Sequence, residues 1–424
     1  MIKVIRSRDF NKDYIAEKTI ASTSLTSTVA TIIANIVKRG DDALREYTEQ
    51  FDKCVLKGFE LPQKAMDKAM KSVDPGFIKI MERAAKNIET FHLNQVQKGF
   101  DLPPENGIVT GQRITPIERV GVYVPGGTAA YPSSVLMNCI PAKIAGVSEI
   151  IIATPPSGDG VDARVVAAAK IAGVDRIFTI GGAQAIAALA YGTESIPRVD
   201  KITGPGNAYV AEAKRQVYGI VGIDMIAGPS DILIIADSTA NPEHIAADML
   251  SQCEHGPDSP AVLITNSKSL SDKVRKEIES QLKQLPRKDI ARKAVEKHGM
   301  IIITKTINEA FELSNSLAPE HLEIMLDEPF YYLDKVKNAG SVFLGKYTPE
   351  ALGDYYAGPN HTLPTSGTCR FSSPLSVEDF TKKTQYLYYS EDALNSVSDD
   401  VIRFAEEEGL RAHALSISGR IKQK

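Results

Sequence analysis

The chain has 424 residues and a mass of 46.0 kDa, which is too long for one ordinary hydrophobic core and predicts two to four domains. Its 43% hydrophobic and 24% charged residues are typical of a soluble globular protein and exclude a disordered, collagen-like or coiled-coil chain. The 49 Lys and Arg residues against 53 Asp and Glu residues give a net charge of −4, so no global field favours nucleic acid or an anionic membrane.

The four cysteines are spread widely along the chain, at Cys54, Cys139, Cys253 and Cys369. None of them forms a CxxC pair, and their density is far below that of a disulfide-rich scaffold, which favours a reducing compartment. The N-terminal sequence lacks the apolar core of a signal peptide, and no apolar run approaches the roughly 20 residues of a membrane-spanning helix. We therefore expect a cytoplasmic protein.

The periodicity of the apolar residues changes along the chain. Residues 27–51 and 64–91 repeat their apolar side chains at intervals of three and four residues, which predicts amphipathic helices. Strands and helices then alternate over residues 120–236 and again over residues 244–345. The strands are continuous apolar runs, which is typical of parallel strands that are covered on both faces. The residues from Ser373 onward predict polar helices.

The predicted fold class is α/β, with two Rossmann-like parallel-sheet domains, an N-terminal helical stretch and a helical C-terminal tail. The expected segments are a helical arm over residues 1–25, a first α/β domain over residues 26–119 and 232–375, a second α/β domain over residues 120–231, and the tail over residues 376–424. Doubly wound sheets bind ligands at the carboxyl ends of their strands, so we expect a site there, between the two domains.

Two segments that contain histidine also carry other groups suited to chemistry. In SQCEHGPDSP, Gln252 and His255 are three residues apart on one face of a predicted helix, where they could bind a divalent metal or simply end the helix. In SLAPEHLEIM, the adjacent Glu320 and His321 could serve acid–base catalysis, because a histidine titrates near neutrality. The alternative is an N-capping carboxylate beside a surface histidine.

A long segment without clear periodicity covers residues 347–376. Irregular segments of this length inside a compact domain are uncommon and usually functional, and this one contains Asp354 and His361. The polar tail adds Glu408 and His413. A histidine so near the chain terminus is by default exposed and idle, and it would gain a role only if the tail reached a partner subunit.

Three glycine-rich turns lie between predicted strands and helices, at residues 124–134, 179–185 and 203–210. The backbone N–H groups of such turns suit an anion, so the turns support a nucleotide or phosphate site. Close packing of the glycines would explain them nearly as well, because none has the GxGxxG pattern and no P-loop motif occurs.

Taken together, these motifs resemble histidinol dehydrogenase. The segments that carry the resemblance follow one another along the chain, from about residue 15 to about residue 417: VGVYVPGGTAAYPSSVLM, GGAQAIAALAYGT, ITGPGNAYVAEAK, DMIAGPSDILIIAD, SQCEHGPDSPAVLIT, APEHLEI, GDYYAGPNHTLPTSGTCRFSSPLSV and EGLRAH. The resemblance implies a zinc-dependent homodimer with active sites shared between the subunits. It also implies the last two steps of histidine biosynthesis, in which L-histidinol is oxidised through L-histidinaldehyde to L-histidine with two NAD⁺.

The resemblance implies roles for individual residues. The zinc ligands would be Gln252, His255 and Asp354 together with His413 of the partner subunit, and the acid–base pair would be Glu320 and His321. The substrate would contact the zinc ligands, His321, Ser230, His361 and the partner's Glu408. NAD⁺ would contact Tyr123, Gln184 and Asn207 in the domain over residues 120–231, the other α/β domain would carry most of the zinc and acid–base residues, and the tail would serve the partner's site.

Two other functions remain open. One is a thiol-dependent aldehyde dehydrogenase that uses Cys139 or Cys253. Against it, Cys139 lies among apolar residues of a predicted helix and Cys253 stands beside a carboxylate, and both settings disfavour a thiolate. The other is a relative that binds a metal or a ligand without catalysis.

Overall fold

The computed structural model describes residues 1–10, 23–126, 130–156 and 160–421. The chain forms two compact units, of which the first consists of Met1–Gln95 and Ile117–Phe380 and the second of Val96–Pro116 and Thr381–Lys424. Within the described residues, no helix is both long enough and apolar enough to cross a membrane.

The regular elements of the described residues are numbered in chain order. The strands are β1 (Lys3–Arg6), β2 (Phe100–Asp101), β3 (Ile108–Pro116), β4 (Arg119–Tyr123), β5 (Glu149–Ala153), β6 (Arg176–Phe178), β7 (Lys201–Thr203), β8 (Gly222–Ile223), β9 (Ile232–Ala236), β10 (Ala261–Thr265), β11 (Met300–Ile303), β12 (His321–Met325), β13 (Ser341–Leu344) and β14 (Thr381–Tyr389). The α-helices are α1 (Thr23–Arg39), α2 (Asp41–Asp52), α3 (Gln63–Ser72), α4 (Pro75–His92), α5 (Pro132–Ala145), α6 (Ala163–Ala172), α7 (Gly182–Tyr191), α8 (Ala208–Val217), α9 (Pro242–Cys253), α10 (Lys268–Leu282), α11 (Lys288–His298), α12 (Ile307–Leu317), α13 (Glu350–Tyr355), α14 (Glu391–Glu407) and α15 (Arg411–Ser418).

The first unit contains both predicted parallel sheets, which confirms the α/β fold class. The strand orders are β1-β11-β10-β9-β12-β13 in the six-stranded sheet and β6-β5-β4-β7-β8 in the five-stranded sheet. In each sheet the chain runs outward from a central strand and then crosses to that strand's other side, which is the doubly wound pattern of Rossmann-like domains. The points of reversal lie between β9 and β12 and between β4 and β7.

Continuous apolar strands account for the cores on both faces of the sheets. In β5, Ile150 and Ile152 belong to one buried layer, whereas Ile151 and Ala153 belong to the layer on the opposite face. The six-stranded sheet likewise has a separate buried layer on each face. Because full burial of one isoleucine contributes about 1.5–3 kcal/mol, these short runs determine where the strands form.

The helices near the N-terminus pack on a different sheet from the one that the sequence predicted. The expected boundaries joined residues 26–119 to residues 232–375. In the structure, Ile36 of α1 is instead buried with Leu189 of α7, in the core of the five-stranded sheet. Helices α3 and α4 pack against α6 and α5 on the other face of that sheet. Helical periodicity identifies the apolar face of a helix but not the surface that this face covers.

The start of the chain also differs from the expected helical arm over residues 1–25. Lys3–Arg6 is a strand that pairs in parallel with Met300–Ile303 at the edge of the six-stranded sheet, and Ile2 is buried in that sheet's core. Residues 11–22, which make up about half of the predicted arm, lie outside the described residues. Four residues are too few to show a periodicity, so the strand depends on the neighbouring sheet edge.

The second unit is built around an antiparallel sheet with the strand order β14-β3-β2. Strand β14 pairs with β3 in unbroken register, from Thr381 opposite Pro116 to Tyr389 opposite Ile108. Helices α14 and α15 follow and pack on each other. The predicted helical tail over residues 376–424 therefore begins with a short 3-10 helix (Val377–Phe380) and a strand, and its α-helices follow only after that strand. That strand depends on a partner far upstream in the sequence, which local periodicity does not reveal.

Candidate active site

The predicted acid–base pair lies where the six-stranded sheet reverses its strand order. Glu320 directly precedes β12 and His321 is its first residue, beside Asp231, which directly precedes β9. The pair thus lies at the amino ends of these strands, so the prediction of a site at the carboxyl ends is wrong for this sheet. The helices of a doubly wound sheet run opposite to its strands, and α9 therefore ends at the same edge.

Asp231 orients both catalytic candidates. Its backbone carbonyl lies 2.8 Å from His321 Nδ1, and its backbone N–H donates to Glu320 Oε2 at 3.0 Å. The hydroxyl group of Ser230 donates to the same Glu320 oxygen at 2.6 Å. Because a carbonyl oxygen can only accept, His321 Nδ1 carries the proton of the neutral ring, and Nε2 is left with a lone pair.

His321 Nε2 is positioned as a base. It is buried and has no hydrogen-bond partner among the described residues, and it lies 4.0 Å from both Asp354 Oδ1 and Glu350 Oε1. Burial lowers the pKa of His321 below its ordinary value, although the negative charge of Asp354 opposes this shift. The imidazole is therefore unprotonated near neutral pH and ready to accept a proton.

The environment of Glu320 shifts its pKa in the opposite direction. Burial raises the pKa of this carboxyl well above its ordinary range, and the negative charge of Asp231 adds to the increase. The hydrogen bonds from Ser230 and from the Asp231 backbone stabilise the ionised form and act against it. Once ionised, a carboxylate with a raised pKa is a stronger base than an exposed glutamate, which suits it to accept a proton from water.

The predicted metal ligands of the first unit come from α9, from the turn that follows it, and from α13. Gln252 is completely buried in the last turn of α9, and neither atom of its carboxamide has a hydrogen-bond partner within the part of the chain that the structure describes. His255 lies exposed in the turn that follows. One ligand atom each from His255, Glu350 and Asp354 lies within 4.8 Å of the others. Unpaired buried amide atoms are costly, so a bound cation fits this site.

Glu350 is a member of the site that the sequence analysis missed. It is buried at the start of α13, and its Oε2 accepts a hydrogen bond from Ser251 Oγ at 3.1 Å. Burial and the neighbouring Asp354 raise its pKa above the ordinary value. The spacing of four residues between Glu350 and Asp354 was the available signal, since it places both carboxylates on one helical face. A cation between them would relieve their repulsion.

The segment over residues 347–376 is less irregular than predicted, because it contains α13 and hence Asp354. His361 lies on the loop that follows, where its Nδ1 is 2.9 Å from the Asp354 carbonyl oxygen. The neighbouring Asn360 anchors this loop by donating to the Met137 carbonyl oxygen of α5 at 2.6 Å. His321, Asp354 and His361 line one cavity. The structure thus brings these three predicted residues together.

The predicted NAD⁺ contacts lie at the carboxyl end of the five-stranded sheet, at its own point of reversal. Tyr123 ends β4, and its hydroxyl oxygen accepts a hydrogen bond from the Gly182 N–H at 3.0 Å. Gln184, in the first turn of α7, is buried, and its Nε2 has no partner among the residues described. Asn207 caps α8, since its Oδ1 accepts from the N–H groups of Tyr209 and Val210. The side-chain NH₂ groups of Gln184 and Asn207 can each donate hydrogen bonds to a ligand that has acceptor oxygens.

Two further predicted site residues lie near the C-terminus of the chain. Glu408 follows α14 and His413 lies on α15, so both belong to the second unit, and both are exposed. The first glycine-rich turn is only partly described, because residues 127–129 lie outside the described residues.

The two cysteines considered as nucleophiles are poorly placed for that role. Cys139 is buried in α5 and Cys253 is buried at the end of α9. Burial raises the pKa of both thiols, that of Cys253 to about 12, so neither forms an appreciable amount of thiolate near neutral pH.

Comparisons with known proteins identify the family of the chain. A family model for histidinol dehydrogenase matches residues 16–421. The chain is 56% identical to histidinol dehydrogenase of Clostridium acetobutylicum over 396 residues and to that of Streptococcus mutans over 394 residues, in each case 93% of this chain and 92% of the relative. A crystal structure of histidinol dehydrogenase from Elizabethkingia anophelis matches with a TM-score of 0.93 at 38% identity, over 99% of this chain and 98% of that chain. The chain therefore belongs to the histidinol dehydrogenase family of NAD-dependent oxidoreductases.

Proposed function

We propose that the protein oxidises L-histidinol through L-histidinaldehyde to L-histidine, with two NAD⁺ consumed, as the last two steps of histidine biosynthesis. The observation that carries the proposal is the pairing of Glu320 and His321 on Asp231, next to the group formed by His255, Glu350 and Asp354. His321 supplies a base, and Glu320 supplies a carboxylate that is more basic than an exposed one. Their position beside a candidate cation site suits an oxidation that includes one hydration step.

We infer that zinc is held by Gln252, His255 and Asp354 and by His413 of a partner subunit. The orphaned carboxamide of the buried Gln252 supports this set, as does the close approach of His255 and Asp354. When bound, zinc supplies a template that orients the amine and imidazole nitrogens of the substrate. Ser230 and His361 would contact the substrate from this chain and Glu408 from the partner, so the functional molecule is a homodimer with shared sites.

His321 and Glu320 accept different protons in the proposed reaction. His321 Nε2 accepts the hydroxyl proton of the alcohol while hydride leaves the adjacent carbon. Glu320 then accepts a proton from the water as its oxygen bonds to the aldehyde carbon, while the protonated His321 returns its proton to the aldehyde oxygen, which gives the hydrate. His321 Nε2 is then neutral again and accepts a hydroxyl proton of the hydrate as the second hydride leaves. Each oxidation thus loses one proton and one hydride, and the bound NAD⁺ supplies the hydride acceptor.

The dinucleotide would lie at the carboxyl end of the five-stranded sheet, in contact with Tyr123, Gln184 and Asn207. The buried, unpartnered Nε2 of Gln184 supports this assignment. The net charge of −4 supplies no attraction for phosphates, so helix N-termini such as that of α8 would supply the local field. The free cysteines are consistent with the cytoplasmic location that we propose.

The function is tested by the stoichiometry of NADH. We expect two NADH and one L-histidine for each L-histidinol consumed, complete loss of NADH formation after removal of the metal with a chelator, and recovery when Zn²⁺ is added. Accumulation of the aldehyde after one NADH would contradict the second step. A protein that contains zinc yet forms no NADH would contradict the enzyme function and favour the non-catalytic alternative.

The thiol-dependent alternative is tested by the double variant Cys139→Ala/Cys253→Ala. Since both thiols are buried and protonated, we expect kcat for L-histidinol within about threefold of the parent value, and only a moderate decrease in Tm from the lost packing. NADH formation from L-histidinol and from L-histidinaldehyde measures the two steps separately. Loss of the aldehyde step alone would show that one thiol is catalytic.

A further inference from the structure

A buried ion pair in the first unit takes no part in the chemistry above. Lys214 of α8 and Asp224, which directly follows β8, are almost fully buried, with 2% and 1% of their side chains exposed. Their charged atoms are in direct contact. The pair lies beside the turn over residues 204–207, which leads from β7 into α8.

Both side chains of the pair bind the backbone of one residue, Gly204. Lys214 Nζ donates a hydrogen bond to the Gly204 carbonyl oxygen at 3.0 Å. Asp224 Oδ2 accepts a hydrogen bond from the Gly204 N–H at 2.8 Å, while its Oδ1 contacts Lys214 and accepts from the Met225 N–H at 2.6 Å. The pair therefore holds the peptide groups on both sides of Gly204.

Gly204 itself has little freedom of position. Its φ of +105° lies in the region that favours glycine, and a Cβ there would lie only 2.1 Å from the carbonyl oxygen of Tyr123. The turn thus passes directly against the end of β4. Asn207 follows in the same turn, so the position of Asn207 relative to Tyr123 depends on where Gly204 is held.

Two simpler explanations of the pair are weaker. An apolar pair of similar volume would stabilise the fold at least as well, because desolvation of two charges offsets much of their attraction. Lys214 is also a poor source of positive field for a phosphate, because Asp224 neutralises it at contact. An apolar side chain, however, could neither donate to the Gly204 carbonyl nor accept from its N–H, so holding this backbone is what the charged pair does specifically.

We propose that Lys214 and Asp224 are positioning residues for the dinucleotide, which act by fixing Gly204 and with it the turn over residues 204–207. The inference rests on the proposed function, since it takes the carboxyl end of this sheet as the NAD⁺ side. Neither residue contacts the cofactor. Loss of either therefore weakens NAD⁺ binding and leaves the histidinol site, built on the other sheet, intact.

The variant Lys214→Met removes the hydrogen bond to Gly204 and retains most of the buried volume. We expect KM for NAD⁺ to rise about tenfold, with kcat at saturating NAD⁺ and KM for L-histidinol each within about twofold of the parent values. Asp224→Asn keeps an oxygen acceptor for the Gly204 N–H but loses the charge, so its rise in KM for NAD⁺ should be smaller. This milder variant keeps the inference testable if Lys214→Met does not fold.

Glu212→Gln is the matched control, because Glu212 lies on the same helix, is also buried, and pairs with Arg215 and Gln216 instead of the turn. It should lower Tm less than Lys214→Met does, because its partner Arg215 is partly exposed, and it should leave KM for NAD⁺ unchanged. Calorimetric titration of NAD⁺ into the parent protein and the variants tests NAD⁺ binding separately from the positioning role of Lys214 and Asp224. No binding there contradicts the proposed function, whereas binding that is equally tight in the parent and in both pair variants contradicts only the positioning role.

Discussion

Replacing His321 with alanine is expected to lower kcat by about 10³ for the oxidation of both L-histidinol and L-histidinaldehyde. The Nδ1–H of His321 is held by the Asp231 carbonyl, and its buried Nε2 is the base that we propose for both oxidations. Glu320→Gln is expected to slow the aldehyde step about 10²-fold more than the alcohol step, because only the aldehyde step requires the activation of a water molecule.

Single-turnover formation of NADH, measured separately from the alcohol and from the aldehyde, distinguishes these roles. His244→Ala is a suitable control, since this histidine is exposed on α9 and takes no part in the proposed chemistry. If His321→Ala and Glu320→Gln reduced both steps to the same extent, the proposed division of labour would be wrong.

The pH dependence of the two steps should differ in a defined direction. A base is inactive when protonated, and burial lowers the pKa of His321, so the alcohol step loses rate only below the ordinary histidine range. Glu320 must be ionised to activate water, and burial raises its pKa. The aldehyde step should therefore lose rate at a higher pH than an ordinary glutamate would impose, and Glu320→Gln should remove that limb of the profile.

The parts of the fold that follow from local pattern were predictable from the sequence. Strands such as Glu149–Ala153 are short apolar runs bounded by helices, and burial on both faces requires such a composition. Pairing across long sequence distances was not predictable in this way. Thr381–Tyr389 has mixed polar and aromatic residues, mostly exposed, and forms a strand because Ile108–Pro116 lies beside it.

In the candidate site, too, local features were predictable from the sequence, whereas contacts between distant segments were not. Histidines beside carboxylates, such as His321 next to Glu320, are visible as residue types with a known chemistry. Asp231 is not, because its role depends on two backbone groups and on the adjacency of β9 and β12. The location of Glu320 and His321 at the amino ends of the strands was also not predictable from the sequence. It depends on which end of α9 lies beside which end of the strands. Lys214 and Asp224 likewise become a pair only through folding.

The proposed sharing of each site between two subunits predicts that two inactive variants restore activity when they are mixed. His413→Ala lacks the proposed tail ligand, and Gln252→Ala/His255→Ala lacks two proposed ligands of the first unit, so each homodimer should lose zinc and at least about 10³-fold in kcat. Both Glu408 and His413 lie exposed in the second unit, whereas Gln252 and His255 belong to the first. In a mixed dimer, Gln252 and His255 of the first variant would be combined with His413 of the second variant, which rebuilds one complete site.

With random exchange of subunits, half of the dimers are mixed and each has one intact site, so the recovered activity should reach about a quarter of the parent value. Zinc content should recover in the same proportion, and the low activity of each variant measured alone excludes contamination by active protein. Mixing His413→Ala with a chain that carries His413→Ala and Gln252→Ala/His255→Ala together is the matched control, because no combination of these chains rebuilds a site. If mixed dimers form, as native mass spectrometry would show, and still bind no zinc, each site is complete within one chain and His413 acts in its own subunit.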